Sequence, residues 1–108
     1  KQLAFNNIQL IEAPLSGSSA QIENGEATLL LGGDAQQIEN MGSVLSALAT
    51  SKIHVGSAGM GAKAKLATNL VLGLNRASLA EGIVFAQAMG IEPAAFLQLV
   101  LSRLLNKL

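Results

Sequence analysis

The sequence predicts an α/β segment that passes into an all-α segment. Three short apolar stretches indicate strands, one helical pattern separates the last two, and two helical patterns complete the chain. The order strand, strand, helix, strand, long helix, helix is typical of an α/β arrangement that becomes helical. Half of the 108 residues are apolar and only 3% are aromatic, so the core must consist of Leu, Ala, Ile and Val.

The first half of the chain predicts a small sheet. Residues 8–13 form a short apolar stretch that stops at Pro14, because proline removes a backbone donor and restricts the preceding residue. Residues 27–31 are almost continuously apolar, as in a strand that is covered on both faces. A helix is predicted over 34–49, since its first residue is an aspartate suited to an N-cap. Residues 53–55 predict the third strand.

Two helices are predicted to complete the chain. Residues 60–89 form the longest helical pattern, and Gly90 follows where a C-terminal cap favours glycine. Pro93 suits the first turn of a last helix over 93–108. The leucines of that helix form a seam with alternating spacings of four and three: Leu97, Leu101, Leu104 and Leu108. A transmembrane helix is rejected because polar residues interrupt the apolar run, namely Asn69, Asn75, Arg76, Glu81 and Gln87.

Composition narrows the classes of partner. Seven basic and seven acidic residues balance, and no basic cluster with aromatic residues occurs, which argues against nucleic acid. The absence of cysteine excludes disulfides and thiolate metal sites. The first ten residues show no signal-peptide pattern, so the expected location is the cytoplasm or an organelle matrix, without a membrane partner. A chain this apolar is expected to cover part of its surface in a homo-oligomer.

Lys65 and Asn69 are candidate catalytic residues. They are four residues apart in a predicted helix, so their side chains lie on the same face. Lys65 also lies close to the helix N-terminus, whose partial positive charge favours loss of a proton from an ammonium group. Such a lysine can exchange a proton with a reacting group near neutral pH. The alternative is that Lys63 and Lys65 are ordinary solvated side chains.

A polar loop is predicted over 14–25, after the first strand. Ser16, Gly17 and Ser18 offer a hydroxyl and backbone N–H groups, which suit the binding of a small carboxylate beyond the end of a strand. Serine and glycine are equally common in ordinary turns, so both interpretations stay open. The single histidine, His54, lies within the third predicted strand and is predicted to be packed or hydrogen-bonded rather than catalytic.

The glycine-rich segment 56–61 departs from the dinucleotide-binding fingerprint G-x-G-x-x-G. Ala64 occupies the third glycine position, and no strand-helix-strand unit with an acidic residue about 20 residues later follows it. Gly59 and Gly61 are therefore predicted to allow close approach of the backbone to a substrate or to a neighbouring helix.

Two motifs in the same order resemble the β-hydroxyacid dehydrogenase family. That family includes 3-hydroxyisobutyrate dehydrogenase, tartronate semialdehyde reductase and the glyoxylate/succinic semialdehyde reductases. The first motif resembles the family's substrate loop and comprises Glu12-Ala13-Pro14-Leu15-Ser16-Gly17-Ser18, Glu23-Asn24-Gly25 and Leu29-Leu30-Leu31-Gly32-Gly33-Asp34. The second resembles its catalytic segment and comprises His54-Val55-Gly56, Gly59-Met60-Gly61, Lys65 and Asn69-Leu70-Val71-Leu72. The resemblance extends from about Ile8 to Leu97.

The resemblance implies an NAD(P)-dependent oxidoreductase that acts on a small β-hydroxy acid or semialdehyde. Lys65 would be the general acid/base that exchanges a proton with the substrate oxygen while the nicotinamide exchanges a hydride. Asn69 would orient the substrate, and Ser16, Gly17 and the backbone of Ser18 would hold its carboxylate. The implied cofactor is NAD or NADP, although the family's usual binding motif is absent from this chain.

The resemblance also implies the organisation of the chain. Residues 1–58 would be the end of a Rossmann-like nucleotide domain, and 59–108 the long inter-domain helix and the start of a helical domain. Because the usual G-x-G-x-x-G half is absent, the chain is expected to be a fragment and to be inactive by itself. Two positions depart from the family, since Ser18 and Gln21 stand where glycine is common. The alternative function is a non-catalytic helical module that dimerises, for example by domain swapping.

Overall fold

The structure, a computed structural model, describes residues 2–105. Its elements in chain order are α1 (Gln2–Phe5), β1 (Leu15–Ser16), α2 (Ser19–Glu23), β2 (Thr28–Gly32), α3 (Ala35–Asn40), α4 (Gly42–Leu48), β3 (Ser51–Gly56), α5 (Met60–Ala88) and α6 (Pro93–Leu105). A small sheet followed by two long helices confirms the predicted fold class, the end of a Rossmann-type sheet passing into an all-α segment. The described residues divide after Asn69 into two compact units. The predicted domains, 1–58 and 59–108, stay a prediction.

The three strands form one mixed sheet in the order β1-β2-β3. β1 runs antiparallel to β2, with Ser16 opposite Thr28. β2 and β3 run parallel, and their pairing extends as far as Gly32 and Gly56. Ser16 therefore lies at the amino end of β2, whereas the chain leaves β2 and β3 at the opposite edge.

The first strand begins later than the sequence predicts. Of residues 8–13, Glu12 alone pairs with β2, in an isolated antiparallel bridge with Gly32. Pro14 does not end the pairing as predicted, because its carbonyl still accepts a hydrogen bond from the Leu30 N–H (3.0 Å). The proline lacks a donor, but this register needs only its acceptor, so β1 forms just beyond it.

The core of the first unit lies on β2. Leu29, Leu30 and Leu31 are 1%, 7% and 2% exposed. Successive side chains of a strand point to opposite faces, so both faces of β2 are covered, as the continuous apolar run predicts. Leu45 and Ala49 complete the buried cluster on one side.

The helix predicted over 34–49 is in fact two helices. Asp34 caps the first as predicted, since its carboxylate accepts from the backbone N–H groups two and three residues later (3.0 and 3.2 Å). The helix then stops at Met41 (φ −96°, ψ 13°), and α4 begins at Gly42. Glycine costs roughly 1 kcal/mol relative to alanine inside a helix, so the interruption falls where continuation is least favourable.

The second unit contains the remainder of α5 together with α6. Gly90 adopts a φ of 88° and ends α5 as predicted, because Ile91 and Gly90 donate to the carbonyls of Ala86 and Gln87 (both 2.9 Å). This pair of bonds is the Schellman motif. α6 begins at Pro93 as predicted, while 106–108, with the last leucine of the predicted seam, lie outside the described residues. Among the described helices none has the length and apolarity needed to cross a bilayer.

Candidate functional site

The start of α5 lies directly against β2. A Cβ atom added at Gly61 would lie 2.6 Å from the carbonyl oxygen of Leu30, and one added at Gly32 would lie 2.9 Å from that of Ser57. Neither position has room for a side chain. The close approach predicted at Gly61 is present, but its neighbour is a strand and not the predicted substrate or helix. Gly59 differs, because beyond its two chain neighbours no described atom lies within 4 Å of its Cβ position, and its φ of 100° favours glycine instead.

Glu12 connects the first strand region to α5. Its carboxylate Oε1 accepts a hydrogen bond from the backbone N–H of Gly61, 49 residues away in sequence. Its main chain also exchanges two hydrogen bonds with Gly32 (2.9 and 3.0 Å). A carboxylate at a helix N-terminus is electrostatically favourable. In the sequence Glu12 is recognisable only as part of a motif, since no local pattern indicates a contact over this separation.

The predicted carboxylate-binding loop has a defined local structure. Ser16 is half-buried at the end of β1, and a Cβ on Gly17 would lie 3.2 Å from that of Ala27. Ser18 caps α2, a helix that lies where the sequence predicts a loop. Its hydroxyl accepts from the Gln21 N–H (3.2 Å), and the Gln21 amide oxygen accepts from the Ser18 N–H (2.8 Å). A carboxylate would therefore reach the Ser18 N–H only by displacing the Gln21 side chain.

The predicted catalytic pair lies in the opening turns of α5. Lys65 is half-buried, whereas Lys63 and Asn69 are exposed. Lys65 and Asn69 share one continuous helix, as the spacing requires. Among the side-chain hydrogen bonds found within residues 2–105, none joins one of the five predicted site residues to another, and the Ser18 hydroxyl bonds only to Gln21 of its own loop. The distance between the pair on α5 and the loop after β1 depends on the direction in which α5 runs along the sheet.

His54 joins the ends of the two parallel strands. Its Nε2 lies 2.9 Å from the carbonyl oxygens of both Gly33 and Gly56. Carbonyl oxygens only accept, so Nε2 carries a hydrogen and donates to this pair. The prediction of a hydrogen-bonded histidine is confirmed.

A cavity of about 660 Å³ lies at this same edge of the sheet, in the first unit. Small residues from the ends of β2 and β3 form part of its wall, including Gly33, Gly56, Ser57 and Ala58. None of the five predicted site residues lines it. Ligand pockets commonly have this volume. This edge is opposite to the end of the sheet at which Ser16 lies, so the cavity does not adjoin the predicted substrate loop.

Residues 1–69 match a family described as the NAD binding domain of 6-phosphogluconate dehydrogenase. The chain belongs to this family. The match ends at Asn69, where the first compact unit also ends. Membership implies NAD(P) as the cofactor, as the resemblance predicts.

Relatives of this chain include hydroxy-acid dehydrogenases and a semialdehyde reductase. Glyoxylate/succinic semialdehyde reductase 2 of Arabidopsis thaliana is 34% identical over 106 residues, 98% of this chain. The 2-(hydroxymethyl)glutarate dehydrogenase of Eubacterium barkeri is 34% identical over 100 residues, 93% of this chain. The solved 3-hydroxyisobutyrate dehydrogenase of Mycobacterium tuberculosis with L-serine matches 84% of this chain at 32% identity and a TM-score of 0.75. The resemblance to the β-hydroxyacid dehydrogenase family is therefore confirmed.

The β-hydroxyacid dehydrogenase relatives are longer than this chain. The chain spans 30% of the Arabidopsis reductase, 33% of the Eubacterium dehydrogenase and 32% of the Mycobacterium structure. It therefore corresponds to about a third of each of these proteins.

Proposed function

We propose that these residues form part of an NAD(P)-dependent oxidoreductase acting on a small β-hydroxy acid or semialdehyde, with Lys65 as the general acid/base. The observation that carries this proposal is the direction of α5 relative to β2. Ser57 lies beside Gly32, and Gly61 lies beside Leu30. As the chain advances from 57 to 61 its neighbour in β2 therefore moves back toward the amino end of the strand.

The dimensions of helix and strand extend this argument to Lys65. A helix rises about 1.5 Å per residue, so Lys65 lies about 6 Å beyond Gly61. A strand rises about 3.3 Å per residue, so Thr28 lies about 6.6 Å before Leu30. The two lengths nearly match, which supports a position of Lys65 level with Thr28. Ser16 lies opposite Thr28 in β1, so the lysine and the carboxylate-binding loop would flank the same small volume.

The proposed chemistry divides between these groups. The Ser16 hydroxyl and the Gly17 backbone would hold the substrate carboxylate, leaving its carbonyl carbon free to react. Lys65 would give a proton to the carbonyl oxygen during reduction and take it back during oxidation. Asn69, one turn further along the same face, would orient that oxygen. A nicotinamide, when bound, supplies or accepts the hydride.

Cofactor-linked turnover tests the proposal. Glyoxylate and succinic semialdehyde are suitable substrates, because they appear in the name of the Arabidopsis relative. The test compares the 108-residue chain alone with a hybrid reductase, in which this chain replaces the 106 matching residues of that relative. We expect NADPH or NADH oxidation by the hybrid reductase and none by the chain alone. A folded hybrid reductase without turnover would contradict the proposal.

We also propose that the chain is a homo-oligomer. Several large apolar side chains of the second unit are more than half exposed, for example Val71 at 55%, Phe85 at 66% and Met89 at 57%. Exposed apolar groups of this density are typical of surfaces that associate. Light scattering on the purified chain is expected to give a multiple of 11.1 kDa. A single-chain mass at micromolar concentration would be incompatible with this proposal.

A further inference from the structure

We propose that Glu12 is a positioning residue that holds the start of α5 in register with the strand before the Ser16 loop. Through this contact it would set the location of Lys65 relative to Ser16. The inference rests on the function proposed above, because it concerns the geometry of that site. Glu12 itself would touch neither substrate nor cofactor.

Two glycines leave the space that the Glu12 side chain occupies. A Cβ on Gly61 would lie 3.0 Å from Oε1 and 3.1 Å from Cδ of Glu12, and a Cβ on Gly32 would lie 2.9 Å from its Cγ. The contact at Gly32 is closer than real Cβ atoms show, and the contacts at Gly61 are tighter than most. One glycine belongs to α5 and the other to β2, so the half-buried carboxylate fills a gap shared by strand and helix. Its Oε1 also accepts the Gly61 N–H.

The contact lies equally close in sequence to both halves of the proposed site. Glu12 precedes Ser16 by four residues, and Gly61 precedes Lys65 by four residues. The Glu12 backbone is fixed by its two hydrogen bonds to Gly32, and the helical backbone from Gly61 to Lys65 is continuous. A shift of Gly61 along the sheet would therefore move Lys65 by a similar amount. Catalytic geometry is sensitive to displacements of this kind, with about 100-fold losses for roughly 1 Å.

A purely stabilising role of Glu12 makes a different prediction. A carboxylate at a helix N-terminus stabilises the helix regardless of where that helix lies on the sheet. Its loss would then lower the melting temperature and leave the relative reactivities of lysines in the folded protein unchanged. The ratio of Lys65 to Lys63 reactivity separates the two roles, since both lysines are measured in one sample and share one helix.

Reductive trapping of glyoxylate measures this ratio without a cofactor. The lysine amine attacks the aldehyde carbon, water leaves, and cyanoborohydride supplies the hydride that reduces the imine to a secondary amine. A carboxylate held by the Ser16 loop would present the aldehyde to Lys65. We expect Lys65 of the unmodified chain to be labelled roughly tenfold faster than Lys63, as peptide mass spectrometry would quantify.

Variants at Glu12 then test the positioning role. Glu12→Ala is expected to bring the ratio close to one, because nothing fixes the start of α5 to the strand. Glu12→Gln keeps both the length and an acceptor oxygen, so the ratio is expected to stay within about twofold of the original. Glu39→Ala is the matched control, since Glu39 is exposed on α3, and it is expected to change nothing.

Each outcome identifies which idea fails. Equal labelling of Lys65 and Lys63 in the unmodified chain overturns the proposed site and this inference together. A Lys65 preference that survives in a folded Glu12→Ala protein overturns the role of Glu12 alone. If circular dichroism shows that Glu12→Ala does not fold, Glu12→Asp and Glu12→Gln decide the matter. Aspartate keeps the charge but is one methylene shorter, so a preference kept by Asp and lost by Gln would show that charge, not position, matters.

Discussion

Gly61→Ala is expected to lower the free energy of unfolding of the first unit by about 1–3 kcal/mol, the usual cost of forcing an extra group into a packed interior. The added Cβ would lie 2.6 Å from the carbonyl oxygen of Leu30 and 3.0 Å from the Glu12 carboxylate. Leu30 belongs to the buried central strand, so its backbone cannot move without disturbing the core. Urea unfolding followed by circular dichroism would measure the loss.

Gly73→Ala provides the matched control for this prediction. Gly73 lies in the same helix and is exposed, and apart from its own helix backbone and chain neighbours no described atom lies within 4 Å of its Cβ position. Alanine is favoured over glycine inside a helix by roughly 1 kcal/mol, so this variant is expected to be stabilised. The same chemical change should thus have opposite signs at two positions of α5. If Gly61→Ala were as stable as the unmodified chain, α5 would not lie against Leu30, and the proposed location of Lys65 would lose its support.

Three helix ends were predictable from sequence because caps depend on neighbouring residues. Asp34, Gly90 and Pro93 each perform the role that the sequence indicates. The helix α2 was missed although a local pattern was present, since Ser18 and Gln21 have the Ser-x-x-Gln spacing of a capping box. The polarity of that segment predicts a loop, but polarity alone does not distinguish a loop from a short capped helix.

The first strand could not be placed from its own residues. Residues 8–13 have strand character, but a strand ends where its partner ends, and β2 pairs regularly with Leu15 and Ser16 instead. Proline stops a ladder only where a donor is needed, which depends on the register with β2. Register is a property of two paired segments, so the prediction that pairing ends at Pro14 could not be corrected from one segment alone.

The candidate site was predictable as two motifs but not as one arrangement. The spacing of Lys65 and Asn69 gives a shared helix face from sequence alone. The antiparallel pairing of β1 sends Ser16 to the end of β2 opposite to the glycine-rich loop, and no local pattern reveals this. The contact that connects the halves, from Glu12 to Gly61, spans 49 residues. The role assignments of the five site residues stay predictions.

Lys65→Ala is expected to reduce kcat/KM of the hybrid reductase by about 10²–10⁴-fold, the usual contribution of a general acid/base. Lys63→Ala is the matched control. Lys63 is exposed and two residues away, about 200° around the helix, so its removal is expected to leave turnover within about twofold. Steady-state kinetics with glyoxylate would measure both variants, and equal losses would rule out a specific role for Lys65.

Lys65→Arg distinguishes proton exchange from simple attraction of the substrate carboxylate. Arginine keeps the positive charge and a similar reach, but its guanidinium is not deprotonated in proteins. If Lys65 only binds the carboxylate, arginine should retain most of kcat, with any change confined to KM. If Lys65 transfers the proton, Lys65→Arg should lose kcat nearly as severely as Lys65→Ala. If the Lys65→Arg hybrid reductase reduced glyoxylate with near-normal kcat, Lys65 would be a substrate-binding residue and not the general acid/base.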